Sequence, residues 1–209
     1  MRALIYILEG TWWSNKEVPL VLPYFSALAS SHRGFELSHR TIRTAADIAH
    51  YVGGIPTGAN AFVYIACHGQ GTTLLPAGKK SAVPYAETVN ALGTAKKKPG
   101  AVSFVHFGCC EMVGPNRRES HAAILEATGA KWASGYTKSV DWLPSTFLDL
   151  ALIVDVFQPF IARKNKMGPK IKHGAKGFMR DYDQLARSLG FSALSHVSGT
   201  TQLFPARQR

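Results

Sequence analysis

Three short apolar runs constrain the fold of this chain more than any other feature. Residues 3–8 (ALIYIL), 61–67 (AFVYIAC) and 101–109 (AVSFVHFGC) are too short for core helices, and turn-forming residues follow each closely. They lack the polar–apolar alternation of a half-exposed strand, so they read as strands buried on both faces. Residues 35–42 and 131–136 supply two more candidate strands. Between these runs the spacing is helical: the later part of 18–31, then 44–51, 84–92, 117–128, 145–160 and 177–189. Thr44 and Asp47 form a capping-box pattern, Pro84 suits a first helical turn, and Gly129 suits a helix end. A turn-rich stretch over 72–83 reads as a hairpin. Alternation of this kind predicts an α/β fold: a single-domain three-layer sandwich with a mostly parallel sheet and helices on both faces. The expected domain spans residues 1–209, with a core over about 1–160 and a basic extension over about 161–209.

Composition narrows the class. Hydrophobic residues are 46% and charged residues 18%, which excludes a disordered chain. Three cysteines, two of them adjacent (Cys109 and Cys110), cannot build a disulfide framework. Only six apolar-rich residues precede Glu9, too few for a signal peptide, and the apolar stretch 148–157 is interrupted by Asp149 and Asp155. The expected address is therefore cytoplasmic and reducing, with no membrane segment.

Two of the buried strands end in reactive side chains: one at His68-Gly69, the other at Cys109-Cys110-Glu111. In open α/β sheets functional groups gather past the carboxyl ends of strands, and parallel strands bring both endings to one edge. A thiol and an imidazole placed there form a nucleophile–base pair. Gly69 leaves its backbone N–H open to a substrate oxyanion, and the Cys110 N–H supplies a second donor.

The same residues carry a family resemblance. Val63-Tyr64-Ile65-Ala66-Cys67-His68-Gly69 resembles the strand and His-Gly of the caspase-like (clan CD) cysteine peptidases. Val105-His106-Phe107-Gly108-Cys109-Cys110-Glu111 resembles their second signature, and its Cys-Glu step is similar to the legumain and CHAT branches. The apolar strand at 132–136, with Val140-Asp141 and the helix after it, resembles the next part of that fold. The resemblance covers about residues 1–160. It implies a caspase–haemoglobinase fold and peptide-bond hydrolysis without metal or cofactor. His68 is then the general acid/base, Cys110 the nucleophile, and Gly69 and Cys110 the oxyanion donors. Aligning instead on Gly108-Cys109 would make Cys109 the nucleophile. The sequence departs from the family at Met112-Val113-Gly114, one residue longer than the usual small-Gly pair. It also has Gly108 where metacaspases place an Asp. Asp141 is a candidate for holding a basic substrate side chain, and Trp12, with Trp13, for bordering the cleft.

Other chemistries fit less well. Cys67, His68, Cys109 and Cys110 could be proposed for zinc, but no C-x-x-C exists and adjacent cysteines rarely share an ion. The glycines around Gly78-Lys79-Lys80-Ser81 lack P-loop spacing, and no G-x-S-x-G is present. The 24 Lys and Arg against 13 Asp and Glu give a net charge of +11. Seven basic residues crowd one stretch: Arg163, Lys164, Lys166, Lys170, Lys172, Lys176 and Arg180. They suit an acidic protein partner or nucleic acid as well as a solvated face. The expected partner is thus a protein or peptide substrate. The alternative is a catalytically inactive member of the same fold that binds a partner or nucleic acid through its basic surface.

Overall fold

The computed structural model describes residues 3–12, 20–32, 34–162, 168–197 and 200–205. Its centre is a seven-stranded sheet made by β1 (Ala3–Glu9), β2 (Phe35–Thr41), β3 (Ala61–Ala66), β7 (Val102–Phe107), β8 (Trp132–Tyr136), β9 (Phe191–Val197) and β10 (Thr200–Phe204). The order across it is β10-β9-β8-β7-β3-β1-β2. The five strands from β2 through β8 are parallel, and β9 and β10 add an antiparallel hairpin at one edge. A second, three-stranded antiparallel sheet joins β4 (His68–Gln70), β5 (Thr73–Leu75) and β6 (Val83–Pro84).

Burial on both faces explains the unbroken apolar runs. Along β3, Phe62, Tyr64 and Ala66 join one core cluster while Ala61, Val63 and Ile65 join the other. The first core lies under α1 (Leu22–Ser31), α5 (Trp142–Leu152) and α7 (Gly168–Ser188), through Phe25, Leu148, Leu152, Ile171 and Phe178. The second lies under α2 (Ala45–Gly54), α3 (Tyr85–Leu92) and α4 (Arg117–Thr128), through Ile48, Val52, Leu92, Ile124 and Leu125. These are the three layers of an α/β sandwich. Local signals place the helix ends. The Thr44–Asp47 capping box starts α2. Gly129, at φ 71°, ends α4 in the left-handed conformation that glycine adopts without a Cβ penalty.

The C-terminal third differs from expectation. Residues beyond about 160 are not an extension of a finished core: β9 pairs with β8 inside the main sheet, and α7 buries Ile171, Ala175 and Phe178 against it. The segment 168–176 is helical despite Pro169 and Gly174. Gly174 is needed there, because a Cβ would come within 2.6 Å of the Asp155 carbonyl oxygen. The helix after β8 begins at Trp142, earlier than the spacing predicts. It runs through a π-helical turn at Ile153–Phe157 into α6 (Gln158–Ala162). These 21 residues are long and apolar enough to cross a membrane by composition, yet half of the most apolar stretch is buried in the fold. Their inward face carries Leu148, Leu152, Val156 and Phe157 against the sheet.

Candidate active site

The chain reverses its direction of sheet growth between β1 and β3, since β2 is added on one side of β1 and β3 on the other. A crevice opens past the carboxyl ends of strands at such a switch point. Three neighbouring strands, β1, β3 and β7, end there in Glu9, Cys67-His68 and Cys109-Cys110.

His68 leaves the main sheet to open β4 and is half-buried. The hairpin that follows turns over two residues, Gly71 and Thr72, both with positive φ (53° and 64°). This is the backbone of a type I′ turn. Its closing pair is Gln70↔Thr73, so Gly69↔Leu74 is the adjacent, non-hydrogen-bonded pair. The Gly69 N–H therefore points away from β5. Glycine is required at this position. A Cβ on residue 69 would overlap the Cys110 carbonyl oxygen and crowd the Cys109 Cβ. Backbone meets backbone here, and the two strand ends are locked side by side.

The adjacent cysteines face opposite environments. Cys109 is fully buried, with Sγ 3.2 Å from the Ile65 carbonyl and 3.8 Å from Cys67 Sγ. Burial, then the neighbouring Cys67 thiol, pushes its pKa well above the ordinary value, so it is held as a thiol. Cys110 is half-exposed. Its sulfur receives the Val140 N–H at 3.4 Å and the Ser139 hydroxyl at 3.8 Å. Its own backbone N–H has no acceptor among the described residues.

Glu111 braces this loop. It holds a left-handed backbone, φ 56°, which a residue with a Cβ adopts only at a cost. Its N–H donates to the Lys138 carbonyl, its carbonyl accepts from Thr72 N–H at 2.9 Å, and its Oε2 accepts from Gly71 N–H at 2.8 Å. One residue thus ties the Cys110 turn to the His68 hairpin and to the β8 loop.

The expected cleft residues divide. Trp12 contacts His68 edge-to-face, ring centroids 5.3 Å apart, and donates its indole N–H to Glu9. Asp141 is exposed at the start of α5, one residue beyond the Val140 that touches the thiol. Its side chain makes no cap bond. Trp13 and the basic residues Arg163, Lys164 and Lys166 lie outside the described residues. Of the remaining basic residues, Lys172 and Lys176 are exposed, while Arg180 pairs with Asp181 at 2.7 Å.

Two buried polar groups near the site escape the sequence reading. Glu9 is buried at the end of β1. Besides Trp12 it accepts Leu20 N–H at 2.6 Å and Val21 N–H at 3.1 Å, and it pairs with His39 at 2.8 Å. The signal was a lone acid ending an apolar strand at the same edge. Beneath the cysteine loop, His106 and Asp149 are both fully buried. His106 Nε2 lies 2.7 Å from Asp149 Oδ1, out of line for a good hydrogen bond. His106 Nδ1 meets Ser134 at 2.7 Å, and Asp149 accepts the Tyr64 and Tyr136 hydroxyls at 2.8 and 2.5 Å. The Tyr64 hydroxyl also fills the space a Cβ at Gly108 would need, so this network abuts the base of the cysteine loop.

Comparison of the sequence with protein-family models and with curated proteins returns no match.

Proposed function

We propose that this chain is a cysteine endopeptidase of the caspase-like type, hydrolysing peptide bonds through His68 and Cys110. One observation carries the reading: adjacent parallel strands end in an imidazole and a half-exposed thiol, held together by the Gly69–Cys110 backbone contact. The buried Cys109 is the poorer nucleophile, because a thiol kept protonated does not attack.

The reaction follows from the groups in place. His68 takes the proton from Cys110 Sγ, and the thiolate adds to the substrate carbonyl carbon. The oxyanion so formed receives the N–H groups of Gly69 and Cys110, the first directed away from its hairpin partner and the second without an acceptor. Collapse breaks the C–N bond, and His68 returns the proton to the leaving amine. Water, deprotonated by His68, then attacks the thioester and releases the carboxylic acid and the free thiol. Trp12 restricts the imidazole ring from one side. Asp141 offers a carboxylate to a basic side chain beside the cut bond.

The test is digestion of a denatured protein substrate, with trapping of the acyl–enzyme. Cleavage that disappears in Cys110→Ala and in His68→Ala, with the acyl group mapped to Cys110, is the expected result. Intact substrate with the folded wild-type chain would overturn the reading and leave the non-catalytic alternative.

A further inference from the structure

The large apolar side chains that stand exposed among the described residues all lie near the start of one helix, α5. They are Trp142 (36%), Leu143 (36%) and Phe147 (53%). Tyr24 of α1 sits against two of them, with ring centroids 5.7 Å from Trp142 and 6.3 Å from Phe147, so the patch runs across two helices. Neither helix interrupts it with charge. α1 has no Lys, Arg, Asp or Glu, and Trp142–Ala162 has only Asp149 and Asp155. Asp149 is buried, and Asp155 is half-buried beside α7. Contiguous apolar surface of this kind marks a face that something else covers. Positive charge lies next to it. α5 contacts α7 as well as α1. From Val156 to Arg180 the chain holds seven Lys and Arg and no acid. Within that stretch α7 exposes Lys172 and Lys176, one helical turn apart, and neither has an acidic partner among the described residues. Arg180 is neutralised by Asp181, and Asp141, exposed just before Trp142, is the acid that adjoins the patch.

We infer that the outer face of α1 and α5, flanked by the lysines of α7, docks on an anionic lipid surface. The rings of Tyr24 and Trp142 suit the headgroup boundary, where one end of an aromatic side chain is wet and the other dry. Leu143 and Phe147 reach the acyl chains beneath, and Lys172 and Lys176 meet the lipid phosphates and carboxylates. The net charge of +11 draws the whole chain toward such a surface. The helix lies on the membrane and does not cross it: Asp149 accepts the hydroxyls of Tyr64 and Tyr136, which holds α5 against the sheet. A second copy of the chain would bring the same positive charge against itself. A nucleic acid would use the lysines and leave Leu143 without an apolar partner. Docking of this kind is independent of peptide cleavage.

The experiment sediments the full chain with vesicles of phosphatidylcholine alone and with vesicles that also hold about 30% phosphatidylserine. The wild type pellets with the anionic vesicles, about tenfold less with the neutral ones, and is released as salt is raised. Phe147→Ser, at an exposed position, weakens the partition about tenfold, and Lys172→Gln with Lys176→Gln weakens it about tenfold or more, while circular dichroism shows both variants folded. Brominated acyl chains quench the tryptophan fluorescence of the wild type, and Trp142→Phe loses most of that quenching. A folded wild type that stays in solution with the anionic vesicles, or pelleting that Phe147→Ser leaves unchanged, overturns the inference. So does retention on duplex DNA without vesicle binding, which gives the cations to nucleic acid. A dimer that Phe147→Ser splits, again without vesicle binding, gives the face to a second copy and overturns it as well.

Discussion

His68 and His106 lie on or just after neighbouring strands, and each has an aromatic ring against its imidazole, yet their surroundings are opposite. His68 opens a hairpin at the sheet edge, half-buried, with Trp12 against its ring and the Cys110 loop beside it. His106 is sealed, its two nitrogens against Ser134 and Asp149. Residue type does not separate a half-buried edge group from a sealed one here. What separates them is whether the chain leaves the strand before or after the side chain. At His68 the strand has ended and a glycine follows. At His106 the strand continues, and Asp149 of α5 closes over it.

Breaking the open side should have the largest consequence. Cys110→Ala is expected to lower peptide cleavage by about a thousandfold or more, since the covalent route is gone. Cys109→Ala, which removes a buried thiol, should keep most of the turnover of the molecules that fold. Assays on the two purified variants decide this. Equal losses would erase the distinction between the two thiols.

On the sealed side, Asp149→Ala leaves His106 and the Tyr64 and Tyr136 hydroxyls without their shared acceptor. Each buried donor left unsatisfied costs about 1–3 kcal/mol, and denaturant unfolding measures the sum. A loss under about 1 kcal/mol would mean that water replaces the carboxylate at little cost.

A third histidine sharpens the contrast. His121 is buried against Ser192, and burial drives its pKa down from 6.5 to about 3. Below pH 6.5 the unfolded chain takes up a proton that the folded chain refuses until about pH 3, so stability falls as pH falls across that window. At about 1.4 kcal/mol per pH unit, the wild type should lose about 2–3 kcal/mol more than His121→Gln between pH 7 and pH 4.5. Parallel stability curves for the two proteins would show that His121 does not titrate abnormally.

The smallest effect concerns the brace. Glu111→Ala removes the acceptor of Gly71 N–H and loosens the turn that presents Cys110. Cleavage should slow by about tenfold through misplacement. Glu111→Gln, which keeps an oxygen at Oε1 able to accept from Gly71, should recover most of the loss. An alanine variant as fast as the wild type would remove Glu111 from the positioning of the loop.

Much of the central sheet was legible because burial on both faces leaves unbroken apolar runs, as in β1, β3 and β7. The edge hairpin was not. β9 and β10 carry Ser192, Ser195, His196, Thr200 and Thr201, and their sequence shows no clean period. The second half of α7 was read from its spacing, but its first half was hidden by Pro169 and Gly174, although Ile171, Ala175 and Phe178 already had helical spacing. The glycine reflects a close helix crossing at Asp155, a long-range contact that no local pattern reports. At the site, His68 and Cys110 stood out because each follows a strand. The network below stayed hidden because His106 and Asp149 meet only once β7 and α5 are packed. That network also explains Gly108, since the Tyr64 hydroxyl occupies the space a Cβ would need.

The central claim is that one cysteine of three is activated by one histidine of eight. Its most direct test is the rate of iodoacetamide alkylation at each cysteine of the folded protein, resolved by mass spectrometry, in the wild type and in His68→Ala. The account predicts fast modification of Cys110 alone, slowed by about tenfold or more without His68, while Cys67 and Cys109 stay unmodified until the protein unfolds. Equal labelling of Cys109 and Cys110, or a Cys110 rate indifferent to His68, would contradict it.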